Sequence, residues 1–202
     1  MNVALILIAA FLAFKIYRVV MEPIEFERIK LKHMCAVTER LEQIREAELA
    51  YKQEYGEFTG DWNVLTSFVD TGKVTIFERK DSSFMYYDKR FQREMNRDTV
   101  ITRVIGYQAV KDRYGEGFEG KMLQYVPMTD DAEFNLGAGK IDRNGVTVPV
   151  FEASVSDVVM LGNLKRRFDQ YIDKEHVYQV GSLTEATISG NYENTKCKDG
   201  AN

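Results

Sequence analysis

Histidine, cysteine, proline and tryptophan are scarce in this chain of 202 residues, which holds two, two, three and one of them. The histidines, His33 and His176, stand far apart, with no carboxylate or cysteine pattern beside either. They are expected to be structural rather than metal ligands or general bases. Cys35 and Cys197 form neither a Cys-x-x-Cys pair nor a Cys/His cluster, so neither a zinc site nor a disulfide framework is signalled. A single bridge between the two remains open. Serines are common, yet no Gly-x-Ser-x-Gly elbow occurs. Basic charge is not in excess: the formal net charge is −4, so no nucleic-acid partner is expected. Internal repeats and low-complexity tracts are absent. With 45% hydrophobic residues the chain is too apolar to be disordered.

What the sequence does have is one long apolar run. Val3–Phe14 is unbroken, Lys15 and Arg18 interrupt it, and Val19–Met21 closes it. From Val3 to Met21 a helix would measure about 28 Å, close to the hydrocarbon thickness of a bilayer. Two basic residues in the last turns are tolerable because long side chains reach the headgroups. The exit Lys15-Ile16-Tyr17-Arg18 lacks the small residues of a signal-peptidase site, so the expectation is an uncleaved anchor with the lipid bilayer as a partner.

Pro23 follows, suited to a first helical turn or a kink. No glycine or proline then occurs from Ile24 to Tyr55, and Met34, Val37, Leu41, Ile44, Tyr51 and Tyr55 recur at helical steps. Glu48 is the one charge inside that stripe; it also stands four residues before Lys52, a favourable helical ion pair. Gly56 is placed to stop the helix. The polar first part, Ile24–His33, is expected to be solvated, and the striped part to pack on the domain that follows. That apolar stripe is too short to be read as a coiled coil.

Asp61 is predicted to cap a short helix bearing Val64, Leu65, Phe68 and Val69, ended by Gly72. Lys73–Glu78 is predicted as a strand, Ser82 or Ser83 as the cap of another helix carrying Phe84, Tyr87, Phe91 and Met95, and Asp98–Val110 as one or two strands. Lys111–Gly120 is expected to be a loop and Lys121–Met128 a strand. Asn144-Gly145 between Ala132–Ile141 and Val146–Val155 is the strongest hairpin signal, with Pro149 demoting the second strand to an edge or an irregular pairing. Leu164, Phe168, Tyr171 and Ile172 share a helical face, and Val177–Val180 and Ala186–Ser189 are short closing strands.

Several patterns invite chemistry and have plainer explanations. Asp130, Asp131 and Glu133 suit a calcium loop, but also a solvated loop start. Asp142-Arg143-Asn144-Gly145 lacks the later acidic ligand of a calcium loop and is explained by a turn. Gly115-x-Gly117-x-x-Gly120 matches a dinucleotide fingerprint without the strand-to-helix setting it needs. Lys165-Arg166-Arg167 is the wet face of a helix, or a lipid-headgroup contact.

The predicted class is α+β: a long N-terminal transmembrane-plus-stalk helix packed on a mostly antiparallel sheet with short helices. The predicted division is 1–22 transmembrane anchor, 23–56 amphipathic stalk helix, 57–194 globular α+β domain and 195–202 polar tail. No catalytic, cofactor-binding or metal-binding residue is assigned, and no cofactor is expected.

The layout of an apolar helix, a proline near position 22, an amphipathic continuation, Ile44-Arg45-Glu46-Ala47-Glu48-Leu49-Ala50-Tyr51 and then Tyr55-Gly56-Glu57-Phe58-Thr59 resembles type IV pilins and the pseudopilins of type II secretion. The resemblance covers residues 1–70. It implies an inner-membrane protein with its domain on the periplasmic side and other membrane or envelope proteins as partners. There is no glycine before a phenylalanine as in a prepilin peptidase site, and Leu5 stands where the mature family has a glutamate. A processed, polymerising pilin is therefore not expected. Further on, Asn144–Ala153 and Val180–Tyr192 are similar to segments of bacterial membrane-anchored envelope proteins. The basic residues that follow the span (Lys15, Arg18, Arg28, Lys30, Lys32) point instead to a cytoplasmic domain. From the residues alone the expectation is a non-enzymatic, membrane-anchored subunit; the alternative is a tethered binding module for a small molecule or peptide.

Overall fold

A computed structural model describes residues 2–90, 92–192 and 197, with side chains from Ile6 onward except at Asp88. Its axis is helix α1, Asn2–Tyr55, 54 residues and so about 80 Å long. Pro23 lies inside this helix and removes the hydrogen bond to the carbonyl of Val19. Val19 is exposed, so its carbonyl can find a partner outside the chain. Gly56 ends the helix as expected, with φ near +80° and its N–H donating to the Lys52 carbonyl at 2.8 Å.

Helix α2, Trp62–Thr71, starts on Asp61, whose side chain accepts from the Asn63 N–H at 2.8 Å. It buries Leu65, Phe68 and Val69 but leaves Val64 exposed. Strands β1 (Lys73–Asp88) and β2 (Arg93–Ala109) form an antiparallel two-stranded ribbon. Strands β3 (Asn135–Arg143), β4 (Val146–Ser156) and β5 (Val177–Gly181) form a three-stranded antiparallel sheet in the order β3-β4-β5. Asn144 and Gly145 both have positive φ, which is the geometry the hairpin signal requires. Two helical turns, α3 (Asp157–Met160) and α4 (Lys165–Phe168), connect β4 to β5.

The core lies between α1, α2 and the three-stranded sheet. From α1 it takes Phe26, Met34, Val37, Leu41, Ile44, Ala47 and Ala50; Leu65, Val69, Phe151, Val155, Met160 and Phe168 face them. Each large side chain buried there is worth about 1.5–3 kcal/mol.

The structure corrects several expectations. No helix forms around Ser82 and Ser83: Phe84, Tyr87 and Met95 belong to the ribbon, because β1 continues to Asp88 and β2 begins at Arg93. Phe91 lies outside the described residues. Those spacings suit a helix equally well, and strand pairing over the whole length decided against it. Lys121–Met128 is no strand: Gly120–Leu123 is a 3-10 turn, followed by a single bridge from Tyr125 to Glu133. Ala186–Ser189 forms no strand either, and only Gly190 bridges to Val180. Strand β4 is central rather than an edge. Yet β5 covers only Glu152–Ser156, so Pro149 sits where β4 has β3 alone beside it.

The upper part of the stalk is not solvated all round. Phe26 and His33 are buried, and Phe26 packs on Phe168 and Tyr171 with ring centroids 5.4 and 5.6 Å away. The domain therefore reaches almost to the foot of the apolar run. Glu48 and Lys52 do not pair: Glu48 is buried, and the Lys52 ammonium lies 4.5 Å from the Phe58 ring centroid.

Before Glu22, among the described residues, α1 buries no large apolar side chain. Every large apolar residue from Ile6 to Met21 is 40–70% exposed. Among the described residues no helix is long and apolar enough to cross a membrane. Residues 3–5 of the expected span lie outside those whose side chains are described. What remains, Ile6–Met21, would be about 24 Å long, against roughly 30 Å of hydrocarbon, and it includes Lys15 and Arg18.

Candidate functional site

Among the contacts that fasten the domain to α1, five involve a carboxylate or a disulfide, and they are spread along more than half of its length. Nearest the apolar run, the Arg167 guanidinium donates to both carboxylate oxygens of Glu25, at 2.6 and 3.1 Å. One turn on, Lys30 donates to Asp157 at 2.7 Å. Cys35 is joined by a disulfide to Cys197, across a sequence separation of 162 and a Cα–Cα distance of 5.3 Å. Glu48 accepts from the Thr59 N–H at 3.0 Å. At the far end, Glu54 accepts from both the N–H and the hydroxyl of Thr75, at 2.6 and 3.1 Å.

Two of these contacts bury a carboxylate. Asp157 is fully buried; one oxygen takes the Lys30 proton donor and the other has no hydrogen-bond partner. Its charge, after burial, is a cause of the raised Tyr178 pKa, pushed up to about 12. Removing Lys30 would leave a buried, uncompensated charge. Lys30→Met is therefore expected to lower the unfolding free energy by about 3 kcal/mol, while Lys30→Met/Asp157→Leu recovers most of it. Urea unfolding of the three proteins checks this, and equal losses in both variants would overturn it.

Glu48 is the second. It is fully buried, and burial pushes its carboxyl up to about 8, against a smaller opposing effect of the Thr59 N–H. Thr59 in turn accepts from the Asp61 N–H through its hydroxyl at 3.2 Å, and Asp61 caps α2. The buried acid thus seats the α1–α2 turn. The signal for it was in the sequence: a carboxylate in the middle of an apolar stripe.

Where α1 leaves the domain, a groove of about 330 Å³ is lined by Tyr17, Arg18, Met21, Glu22, Glu25, Arg28 and Arg167, among others. Arg18 and Arg28 make no ion pair among the described residues. The basic run 165–167 is split by this arrangement, since Arg167 is committed to Glu25. A second groove, open and about 580 Å³, runs between Tyr51, Tyr55 and Phe68.

The other sequence patterns are not brought together. The His33 Nδ1–H donates to the Ile29 carbonyl at 3.1 Å, and His176 stands edge-on to Tyr178. Asp142 accepts from the Gly145 N–H in the hairpin turn. Gly115 and Gly117 have positive φ in a loop, and the Gly120 N–H donates to Asp70. Among the described residues no three His, Cys, Asp or Glu side chains are grouped to hold a metal ion. No protein family, no curated protein and no solved structure matches the chain.

Proposed function

We propose that this is a non-enzymatic envelope protein of pilin-like layout, anchored by a single N-terminal span in the inner membrane, with its domain on the periplasmic side. In this reading it is a structural or accessory subunit of a larger membrane assembly. The observation that carries it is the change of character along one continuous helix. Ile6–Met21 is exposed and apolar, whereas Phe26–Ala50 is the spine of the core. Exposing that much apolar surface to water is costly, at about 25 cal/mol per Å², and a bilayer removes the cost. With residues 3–5 the apolar segment would reach about 28 Å. Tyr17, Arg18 and Arg28 at its foot have the composition of a membrane–water interface. The Cys35–Cys197 disulfide supports the periplasmic side, because such bonds persist in oxidising compartments.

Alkaline carbonate treatment of membranes tests the anchor: the protein should stay in the pellet and be released by detergent, and release by carbonate alone would refute the span. Alkylation of intact cells tests the side. Both cysteines should resist the reagent until reduced, whereas free thiols would place the domain in the cytoplasm. The alternative, a tethered binding module, draws on the aromatic groove at Tyr51, Tyr55 and Phe68. Extraction in a mild detergent separates the two, since a subunit runs as a large stoichiometric particle and a binding module as a small one.

A further inference from the structure

Among the described residues, the contacts that join the β1–β2 ribbon to α1 lie at its base. Val74 and Val110 are buried there, and Glu54 clasps Thr75. Beyond the base, the ribbon runs for about 40 Å, and among the described residues neither of its long edges pairs with another strand. The register places Phe77, Val104, Val100, Met85 and Tyr87 on one face, and Phe84, Ile101, Tyr86 and Met95 on the other. All but Met95 are exposed large apolar side chains. A two-stranded hairpin that covers neither face with a core is marginal in water. Its apolar residues on both faces are therefore a surface awaiting cover.

Charge says what covers it. Residues 73–109 hold eight basic and five acidic side chains, a formal +3, whereas the whole chain is −4, which leaves −7 on the remainder. Two ribbons would repel one another; a ribbon and the body of another copy attract. The body offers a matching strip. Glu39, Glu42 and Glu46 follow each other at steps of three and four on the outer side of α1, all exposed and without an ion pair among the described residues. Beside them lies the loop that carries exposed Glu116, Glu119 and Met122, tied to the same turns by Tyr114 donating to the Gln43 carbonyl and Arg40 donating to the Met122 carbonyl. Over residues 39–46 and 114–122 five carboxylates stand against Arg40, Arg45 and Lys121, a formal −2, so this strip is acidic on balance, and the ribbon is basic with apolar relief.

We propose that the β1–β2 ribbon is an assembly arm that docks on the α1 acidic strip of a second copy of this chain. The proposal deepens the subunit reading above and rests on it. The face that carries Phe84 and Ile101 with Lys80, Arg97 and Arg103, about 40 Å by about 10 Å beyond the base, covers roughly 400 Å², or about 800 Å² over both partners, the size of a weak, reversible interface. Arm and strip are different patches, so the contact is head to tail and propagates into a ring or a filament.

The test uses the full chain in mild detergent, sized by native mass spectrometry. Wild type should form homo-oligomers. Lys80→Glu/Arg97→Glu/Arg103→Glu, on one face of the arm, and Glu39→Lys/Glu42→Lys/Glu46→Lys, in the strip, should each run as monomers. Mixed together, they should assemble into alternating oligomers, because every arm then meets a strip of opposite charge on the other variant. All six positions are on the surface, and circular dichroism of each variant shows that it folds. Oligomers that survive both sets of changes would overturn the arm and leave the subunit reading standing. A wild type that is monomeric, but joins a particle of other membrane proteins, would do the same. A wild type that is monomeric with nothing bound would overturn both. Binding of wild type to anionic vesicles, lost in the arm variant while no oligomer forms, would reassign the arm to lipid and overturn the proposal.

Discussion

Cys35→Ser is expected to lower the unfolding free energy of the full chain by about 5 kcal/mol. The bridge to Cys197 spans 162 residues, and closing a loop of that size in the unfolded chain removes entropy worth about this much at 25 °C. Ahead of the tail, Asn191 is hydrogen-bonded to Gln179 and Val177 of β5 and Tyr192 is buried, while Cys197 itself lies against the hydroxyl of Thr38. Denaturant titration of the oxidised wild type against the variant checks the figure, and reductant should bring the wild type to the same midpoint. A loss below about 1 kcal/mol would mean that the tail is seated by packing and that the bridge adds only a covalent record of it. The result also bears on the compartment, since a domain that depends on this bond belongs where thiols are oxidised.

Stability is also expected to fall as the pH rises from about 4.5 to about 8, through Glu48. In the folded chain this carboxyl keeps its proton up to about 8; in the unfolded chain it releases it at the ordinary value of 4.5. Between these limits the unfolded state binds fewer protons, so each step up in pH favours unfolding. Across the full window the effect is at most about 5 kcal/mol, from about 1.4 kcal/mol for each pKa unit. Glu48→Gln keeps an acceptor for the Thr59 N–H and removes the titration. The variant should match the wild type near pH 4 and exceed it at pH 8, by up to the same amount. Melting temperature measured against pH for both proteins checks this, and parallel curves would place the proton elsewhere.

The parts of this fold that were legible in the sequence were those in which local chemistry and tertiary packing agree. Gly56 stops α1 and Asn144-Gly145 turns β3 into β4 because these positions need a backbone geometry that few residues supply, and Asp61 caps α2 because few side chains accept from a helix's first N–H groups. The α1 stripe from Met34 to Ile44 follows the core for the same reason. Failures came where a spacing fits two structures. Phe84, Tyr87 and Met95 suit a helix face by their intervals, and only the pairing partner at Arg93–Ala109 makes them strand residues. Phe26 seemed isolated in a polar stretch, because its ring partners, Phe168 and Tyr171, come from the other end of the chain. The same distance hid Asp157 from Lys30 and Cys197 from Cys35. Glu48 stood out as a misfit, yet nothing nearby in sequence named Thr59 as the group it holds.

The helix that carries the apolar run is also the spine of the domain, with packing that begins at Phe26 and no glycine between Ile24 and Tyr55. From Ile24 to Tyr55 the domain thus has no swivel of its own, and Pro23 is the one break in the hydrogen-bond ladder where it meets the apolar run. From Met21 to Tyr55 the helix is about 50 Å long, so a tilt of about 20° at the apolar end carries the base of the ribbon sideways by about 17 Å. It behaves as a pointer fixed to its pivot. Where the ribbon can reach is decided at the other end of the molecule, by whatever sets the lean of residues 6–21.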